Sequence, residues 1–175
     1  MPEREHLMLY VIQVFTGKEH RVAECCRQVI MKEQEEIFVP LYKRQKKIKG
    51  ELKTVTLVLY PGYIFCETEE PVRLFGELKH IKELTKLLRS DEDIIPVEPK
   101  EEETLYKLFG RDHVVEVSTG YIEGGKVRIT AGPLEHFEGQ IVRIDRHKRS
   151  AVIELDFMGR KTQTTVGLEV VDKIP

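Results

Sequence analysis

The stretch Lys126–Ile153, KVRITAGPLEHFEGQIVRIDRHKRSAVI, decides how the last part of this 175-residue chain folds. Val127 and Ile129 alternate with polar residues, and this period of two places aliphatic side chains on one face of a strand. A Gly-Pro pair then breaks the strand. Val142 and Ile144 repeat the alternation farther along the chain. The stretch therefore predicts two strands, each with one apolar face and one charged face.

A cluster of positive charge follows the second strand. The turn Arg146–Arg149 reads RHKR and leads into a further apolar strand. Upstream, Phe137 lies two residues before Gly139, where we expect a tight bend at which a Cβ atom would clash. This order of a strand, a Gly-Pro break, an apolar residue and a glycine resembles a KOW motif. A generic hairpin of a small barrel is the alternative interpretation.

Composition indicates a globular protein. The chain is 41% hydrophobic and 33% charged, as is usual for soluble domains. No apolar run approaches the roughly 18 residues of a membrane span, and Met1–His6 lacks the basic and apolar segments of a signal peptide. We expect a cytoplasmic protein without a membrane partner.

Reactive motifs are missing from the sequence. Cys25, Cys26 and Cys66 form no C-x-x-C pair, so they predict reduced thiols in a core and not a disulfide framework or a zinc site. The motifs of phosphate-binding loops and hydrolases are absent, and the six histidines are scattered. We predict a protein that is not an enzyme and needs no metal or cofactor. Since the net charge is only -2, nucleic-acid binding must be argued from local clusters of cations.

The beginning of the chain predicts a strand followed by a helix. Leu7–Phe15 is an apolar, β-branched run, as expected for a central strand that is buried on both faces. Thr16 and Glu19 have the spacing of a capping box, at the start of a helix with one apolar face. The residues of that face are Val22, Cys26, Val29 and Ile30. Ile37–Tyr42 predicts a second strand, at an edge or bulged because it contains Pro40.

A basic hairpin is predicted next. Lys43–Lys53 holds six cations against one glutamate, with Gly50 at the expected turn, and Thr54–Tyr60 forms the returning strand. Such a run is either a solvated loop or a contact surface for RNA or for non-template DNA. The candidate contacts are Lys43, Arg44, Lys46, Lys47, Lys49 and Lys53.

Aromatic residues surround a predicted turn at Pro61–Gly62. Tyr60, Tyr63 and Phe65 are either core residues or part of an apolar patch for a partner protein. The next predicted elements are a helix over Pro71–Leu84, a short strand at Leu87–Leu88, an acidic loop at Asp91–Asp93 and a helix over Pro99–Phe109.

Apolar periodicity then fades, which predicts a linker over residues 111–121 between a domain of residues 1–110 and a domain of residues 122–175. Five short strands are predicted to close a small barrel in the second domain. They are Lys126–Thr130, Gln140–Arg146, Ala151–Phe157, Thr162–Val166 and Leu168–Val171.

Taken in order, these segments resemble the NusG family of transcription elongation factors. The resemblance is carried by Tyr10–Gly17 with Glu19 and Arg21–Val22, by Tyr60–Phe65, by Gly120–Gly139 and by Phe157–Arg160. It implies an α+β fold, in which an antiparallel sheet flanked by helices (NGN) precedes a small five-stranded SH3-like β-barrel (KOW). It also implies that a monomer docks an apolar patch on the clamp helices of RNA polymerase and favours the processive state. The patch would include Tyr10, Phe15, Tyr60, Tyr63 and Phe65.

Three features resemble the specialised LoaP-type antiterminators more than a housekeeping member. Leu9 stands where tryptophan is common, Met158 occupies the apolar tip of a KOW loop, and cations cluster at Arg146–Arg149 and Arg160–Lys161. Such cations either form a solvated rim or grip the phosphates and a guanine edge of a nascent RNA hairpin. The implied RNA contacts are Lys126, Arg128, Arg143, Arg146, His147, Lys148, Arg149, Arg160 and Lys161. The alternatives are a general NusG elongation factor and a KOW-containing ribosome-associated protein.

Overall fold

The computed structural model describes residues 7–29, 33–80 and 94–172. In chain order its first elements are β1 (Met8–Gln13), α1 (Glu19–Val29), β2 (Glu36–Phe38), β3 (Leu41–Ile48), β4 (Glu51–Val58), β5 (Tyr63–Thr68), α2 (Pro71–Lys79), β6 (Ile94–Pro96) and α3 (Pro99–Phe109). They are followed by β7 (Val114–Val115), β8 (Ser118–Glu123), β9 (Lys126–Ala131), β10 (Ile141–Asp145), β11 (Ser150–Phe157) and β12 (Arg160–Val170). Within the described ranges, no helix is long and apolar enough to cross a membrane.

The chain forms two compact units that are not continuous in sequence. The described parts of Met1–Val39 and Tyr60–Glu102 make the first unit, and those of Pro40–Leu59 and Glu103–Pro175 make the second. The second unit therefore contains the hairpin β3–β4 together with the strands after α3. The predicted domain limits, 1–110 and 122–175, stay a prediction.

The sheet of the first unit has the order β2-β5-β1-β6, and all its neighbouring strands are antiparallel. The prediction of a central first strand is confirmed, because β1 lies in the interior of the sheet. Its expected burial on both faces is incomplete, since Leu9 and Val11 are completely buried whereas Met8, on the other face, is 47% exposed. Helix α1 buries Val22 and Cys26 on its apolar face. Burial raises the pKa of the Cys26 thiol to about 12, so this cysteine stays protonated.

Glu19 ties the start of α1 to the turn before β5. Its carboxylate accepts hydrogen bonds from the amide of Gly17, at 3.0 and 3.1 Å, and from the amide of Gly62, at 2.8 Å. The predicted capping box paired Glu19 with Thr16, whereas the observed donors are the amides of these two glycines. Burial alone would raise the pKa of Glu19, but the amide donors and nearby His20 lower it below its ordinary value.

The hairpin in the second unit forms as predicted, and we call β3–β4 (Leu41–Val58) the basic hairpin. Its strands are antiparallel, with Lys46 opposite Lys53, and the chain turns at Lys49 and Gly50, which both have positive φ. β3 also pairs in parallel with β7, so the hairpin belongs to a three-stranded sheet of order β4-β3-β7.

The second unit also contains a five-stranded sheet, in the order β10-β11-β12-β8-β9, in which β9 to β12 cover the predicted strands and β8 is additional. We call this sheet the barrel. One of its five strands, β8, begins within residues 111–121, which the sequence predicts as a linker, and β7 lies there as well. β8 pairs in parallel with β12 and antiparallel with β9.

Two predicted strand boundaries are wrong. Ile37–Tyr42 is divided between β2 and β3, because Pro40 has no N–H group to donate to a sheet ladder. Conversely, Thr162–Val166 and Leu168–Val171 are predicted as two strands, but β12 runs through Gly167 without a break.

Close packing, and not a break in the strand, explains the presence of a glycine at position 167. A Cβ atom added there would overlap the carbonyl oxygen of Lys43 in β3, so only glycine lets the two backbones approach this closely. The clash expected at Gly139 is absent, because no neighbouring atom lies within 4 Å of its Cβ position. Gly132 is the constrained glycine of that region, with a φ of +100° and a Cβ position 2.6 Å from Ser118.

The predicted helices are confirmed where the structure describes them. Helix α3 has the predicted bounds, and α2 begins at the predicted Pro71 and extends to Lys79. The rest of the predicted helix, the strand at Leu87–Leu88 and the acidic loop at Asp91–Asp93 lie outside the described residues, as does Ile30.

Replacing Glu19 by glutamine is expected to lower the free energy of unfolding by about 1 to 3 kcal/mol at neutral pH, because a charged acceptor of buried amides is lost. A carboxyl group whose pKa is lower in the folded protein than in the unfolded chain stabilises the fold fully at pH values above its pKa in the unfolded chain. This contribution disappears as the pH falls through its pKa in the folded protein. The difference between wild type and Glu19→Gln should therefore shrink below the ordinary value of 4.5. Urea denaturation at several pH values measures it.

Glu24→Gln is the matched control, since Glu24 lies on the same helix with its side chain 58% exposed. We expect this change to stay within about 0.5 kcal/mol of wild type. Equal stability of Glu19→Gln and Glu24→Gln at neutral pH would contradict the role assigned to Glu19.

Candidate nucleic-acid interface

Three contacts hold the basic hairpin against the barrel inside the second unit. The first is the close approach of the two backbones at Gly167. In the second, the Thr164 hydroxyl donates a hydrogen bond of 2.7 Å to the carbonyl oxygen of Leu59, at the end of the hairpin. In the third, Nη1 of Arg44 donates to the carbonyl oxygen of Lys148 at 2.9 Å. The hairpin is thereby placed beside the turn Arg146–Arg149, which we call the barrel turn.

An open cleft of about 670 Å³ lies between the basic hairpin and the barrel turn. We call it the basic cleft, and its lining residues are Arg44, Gln45, Lys46, Lys47, Arg146, His147, Lys148 and Arg149. Six of these eight described residues are Lys or Arg, and none of them is acidic. Predicted contacts from two distant parts of the sequence thus share one surface, where their positive potentials add.

Four cations of the basic cleft are available to a ligand. Lys46, Lys47, Arg146 and Lys148 are all exposed. Within the part of the chain that the structure describes, none of the four side chains forms an ion pair with a carboxylate. The barrel turn itself is held by the amide of Lys148, which donates to Oδ1 of Asp145 at 2.9 Å.

The two other arginines of the cleft are anchored to the protein. Arg149 has a φ of +56°, and its guanidinium is paired with the carboxylate of Glu169 at 2.5 Å. Arg44 reaches both the carbonyl oxygen of Lys148 and the hydroxyl of Tyr42. Burial raises the pKa of Tyr42, while the charge and hydrogen bond of Arg44 counter part of this rise. These arginines shape the cleft more than they offer free donors to a ligand.

The predicted cations of β9 and β10 lie elsewhere on the barrel. Lys126, Arg128 and Arg143 line a second cleft of about 550 Å³. Glu138 also lines it, but its carboxylate accepts a hydrogen bond of 2.6 Å from a backbone amide of β9. Arg143 lines a smaller cleft as well, together with residues of the basic cleft. Arg143 therefore connects the two positively charged regions.

The remaining predicted cations line none of these three clefts: Lys43, Lys49, Lys53, Arg160 and Lys161. Two of them have partners, since Lys43 is paired with Glu116 at 3.2 Å and Lys161 with Asp156 at 3.1 Å. The basic cleft thus brings together some of the cations predicted in the hairpin and some of those predicted in the barrel.

The five aromatic residues expected to form an apolar patch divide into two groups. Phe65 and Tyr60 are buried, and the ring of Phe65 stacks on Phe38 with 5.6 Å between ring centroids. These two residues therefore belong to the core. Their expected place on a surface patch was wrong, because a buried ring has no face that a partner could contact. Burial also raises the pKa of Tyr60.

The other three aromatic residues are accessible in part. Phe15 is 50% exposed, whereas Tyr10 and Tyr63 are half-buried. Tyr10 makes an edge contact with Phe75 of α2. Met8, which the sequence interpretation missed, is 47% exposed two residues before Tyr10 on the same face of β1. The sequence gives no signal for it, because the run Leu7–Phe15 places apolar residues on both faces of β1.

Comparisons with known proteins extend over nearly the whole chain. The family model described as transcription termination factor nusG matches residues 9–106. The transcription termination/antitermination protein NusG of Haemophilus influenzae is 26% identical over 172 residues, which cover 94% of this chain and 93% of the relative. The protein of the same name from Rickettsia typhi is 27% identical over 177 residues, covering 94% and 88%.

A solved structure has a similar fold. The structure that reports domain interaction in Thermotoga maritima NusG matches with a TM-score of 0.53 and 22% identity, covering 92% of this chain and 93% of that chain. This likeness concerns the fold, and it confirms the predicted α+β architecture of an NGN domain followed by a KOW barrel.

The different roles of two neighbouring residues in the barrel turn can be measured. Arg149→Ala should lower the free energy of unfolding by about 1.5 to 3 kcal/mol, because the partly buried carboxylate of Glu169 loses its charged partner. Lys148→Ala is the matched control and should stay within about 0.5 kcal/mol of wild type, since the Lys148 side chain is exposed. Urea denaturation of both variants checks this expectation. If both variants are as stable as wild type, Arg149 is not an anchor.

Proposed function

This chain belongs to the NusG family of transcription termination and antitermination factors, and we propose that it acts in processive antitermination. In this proposal the NGN domain, residues 1–110, binds the clamp helices of RNA polymerase. The KOW domain, residues 122–175, helped by the cations of Lys43–Lys53, binds a structured leader RNA. The protein acts as a monomer in the cytoplasm, and it contributes binding energy to the elongation complex without catalysing a reaction.

The basic cleft is the observation that carries the RNA part of the proposal. The whole chain has a net charge of -2, so it has no general attraction for nucleic acid. Six cationic residues nevertheless line one cleft, and four of them have exposed side chains without an ionic partner among the described residues. Concentrated positive charge of this kind favours phosphate binding through release of counterions.

The exposed apolar residues near β1 support the polymerase part. Phe15 and Met8 expose about half of their surface, and Tyr10 and Tyr63 are accessible in part. Aromatic residues that become buried when a partner binds often carry much of the energy of an interface. A factor that binds the closed clamp more tightly than the open clamp shifts the polymerase toward processive elongation.

A general elongation factor without RNA recruitment is the second candidate. It is favoured by the match to NusG proteins along almost the full length of the chain. The two candidates differ in whether a leader RNA is needed.

Transcription through a strong terminator separates them. The cognate polymerase is used with and without each candidate leader upstream, together with wild-type protein or the variant Arg146→Ala/Lys148→Ala. We expect readthrough to require both the leader and these two cations, because they lie in the basic cleft. An effect on pausing that needs neither the leader nor the cations would establish the general elongation factor instead.

The polymerase contact has its own test. Phe15→Ala is expected to weaken binding of the full chain to the polymerase roughly tenfold or more, since truncating a central aromatic contact commonly costs about 2 kcal/mol. Val72→Ala is the control, because Val72 is an exposed apolar residue, 86% accessible, that does not belong to the proposed patch. Equal affinity of the Phe15→Ala variant and wild type in a titration would remove Phe15 from the interface.

A further inference from the structure

We propose that the basic hairpin and the barrel turn form one preassembled cleft that grips the phosphate backbone of a double-stranded RNA stem. This inference rests on the proposed function and specifies its RNA ligand. It assigns half of the site to residues that precede the first strand of the barrel by about seventy positions in the chain. The ligand is recognised by the spacing of its phosphates and not by its exposed bases.

The cleft is preassembled because its two sides are fixed to each other by the protein. The backbones of β3 and β12 touch at Gly167, where no other residue fits. Arg44 then connects the two sides directly, because its guanidinium donates a hydrogen bond to the carbonyl oxygen of Lys148 in the barrel turn. A ligand therefore meets cations that are already in position, and little ordering of the protein is needed on binding.

The lining of the cleft matches phosphate. Lys46, Lys47 and Lys148 offer mobile point charges, and Arg146 offers a guanidinium that can donate two parallel hydrogen bonds to one phosphate. No carboxylate lies among the residues that line the cleft, all of which the structure describes. An anionic polymer is therefore attracted from both sides.

The same lining disfavours a single strand. Proteins that hold single-stranded RNA stack its bases on aromatic rings or on the planes of arginines. Among the described residues that line the basic cleft there is no Phe, Tyr or Trp, and His147 has the only ring. The guanidinium groups of Arg44 and Arg149 are held by the carbonyl oxygen of Lys148 and by the carboxylate of Glu169, so they offer no free plane for a base. A duplex, whose bases are already stacked on each other, needs no such platform.

The surface continues beyond the basic cleft. Arg143 lies beside Arg44 and Lys148 in the adjoining small cleft, which Asp145 also lines, and it lines the second cleft with Lys126, Arg128 and Glu138. Both carboxylates accept hydrogen bonds from backbone amides of the protein. Successive phosphates of one strand of a stem can therefore be met by successive cations. Recognition by phosphate and shape across a groove is the usual mode for double-stranded RNA.

The test uses the full chain and four probes of equal length: a hairpin RNA with a continuous stem, the same RNA with its stem pairing destroyed, a duplex DNA of the stem sequence and a single-stranded DNA. Affinity is measured at several salt concentrations. Two variants remove cations from opposite sides of the cleft, namely Lys46→Ala/Lys47→Ala and Arg146→Ala/Lys148→Ala. Lys79→Ala/Lys107→Ala removes the same charge outside the cleft and is the control.

We expect the wild type to prefer the hairpin RNA over the three other probes. Each cleft variant should lose roughly 10- to 100-fold in affinity for the hairpin near 0.1 M salt, and its salt slope should fall by about one for each phosphate contact removed. The control should bind almost as wild type does. Gly167→Ala keeps every cation but pushes the hairpin from the barrel, so it should also bind more weakly wherever circular dichroism shows that it folds.

The alternative outcomes are distinct. Loss of affinity in Arg146→Ala/Lys148→Ala, with wild-type affinity in Lys46→Ala/Lys47→Ala, would overturn the composite cleft and leave the proposed function standing. Equal binding of the unpaired RNA would overturn the assignment to a stem, and equal binding of duplex DNA would overturn the assignment to RNA. Absence of RNA binding by the wild type would overturn both this inference and the RNA part of the proposed function.

Discussion

The contact between the backbones of β3 and β12 is the constraint on which the candidate site depends. A carbonyl oxygen of one strand occupies the space that a side chain at Gly167 would need. Van der Waals repulsion rises steeply at such distances, so the position admits one residue type and leaves the strands little freedom to shift. The hydrogen bonds of Thr164 and Arg44 on either side of this point then fix the angle of the hairpin.

The first unit is stabilised by a different kind of interaction, centred on a charge. Glu19 is almost completely buried, and its carboxylate is satisfied by backbone amides from two separate turns. A buried carboxylate is tolerated only when it is hydrogen-bonded in this way, because desolvation otherwise disfavours the charged form. The arrangement orients the turn that leads into β5, and β5 supplies both core and accessible aromatic residues. The proposed protein contact and the proposed RNA contact thus depend on separate supports.

Local patterns in the sequence predicted the elements well, and long-range packing was hidden from them. The alternation in β9 to β11 and the turn at Gly50 are short-range signals, and the structure contains the strands and the hairpin that they predict. Two cationic runs were likewise visible. Their adjacency was not, because it depends on a contact between residues 104 positions apart, Arg44 and Lys148. Gly139 and Gly167 illustrate the same limit, since a glycine in a sequence does not reveal which neighbour approaches it. The sequence likewise did not decide whether Phe65 is buried or exposed, because its burial depends on packing against residues that are distant in the chain.

The discontinuous make-up of the second unit has a consequence for biosynthesis. The hairpin leaves the ribosome well before β12, against which it packs, because about one hundred residues separate the end of β4 from the start of β12. During most of translation the strands β3 and β4 lack the surface that completes them, and contacts between such distant segments form slowly because a long loop must close first. A chain that stops short of β12 therefore carries all the cations of the hairpin but no cleft. In the proposed function, the cleft for a folded RNA therefore forms only after β12 has been made and has packed against the hairpin, so nascent chains without β12 do not compete for the same ligand.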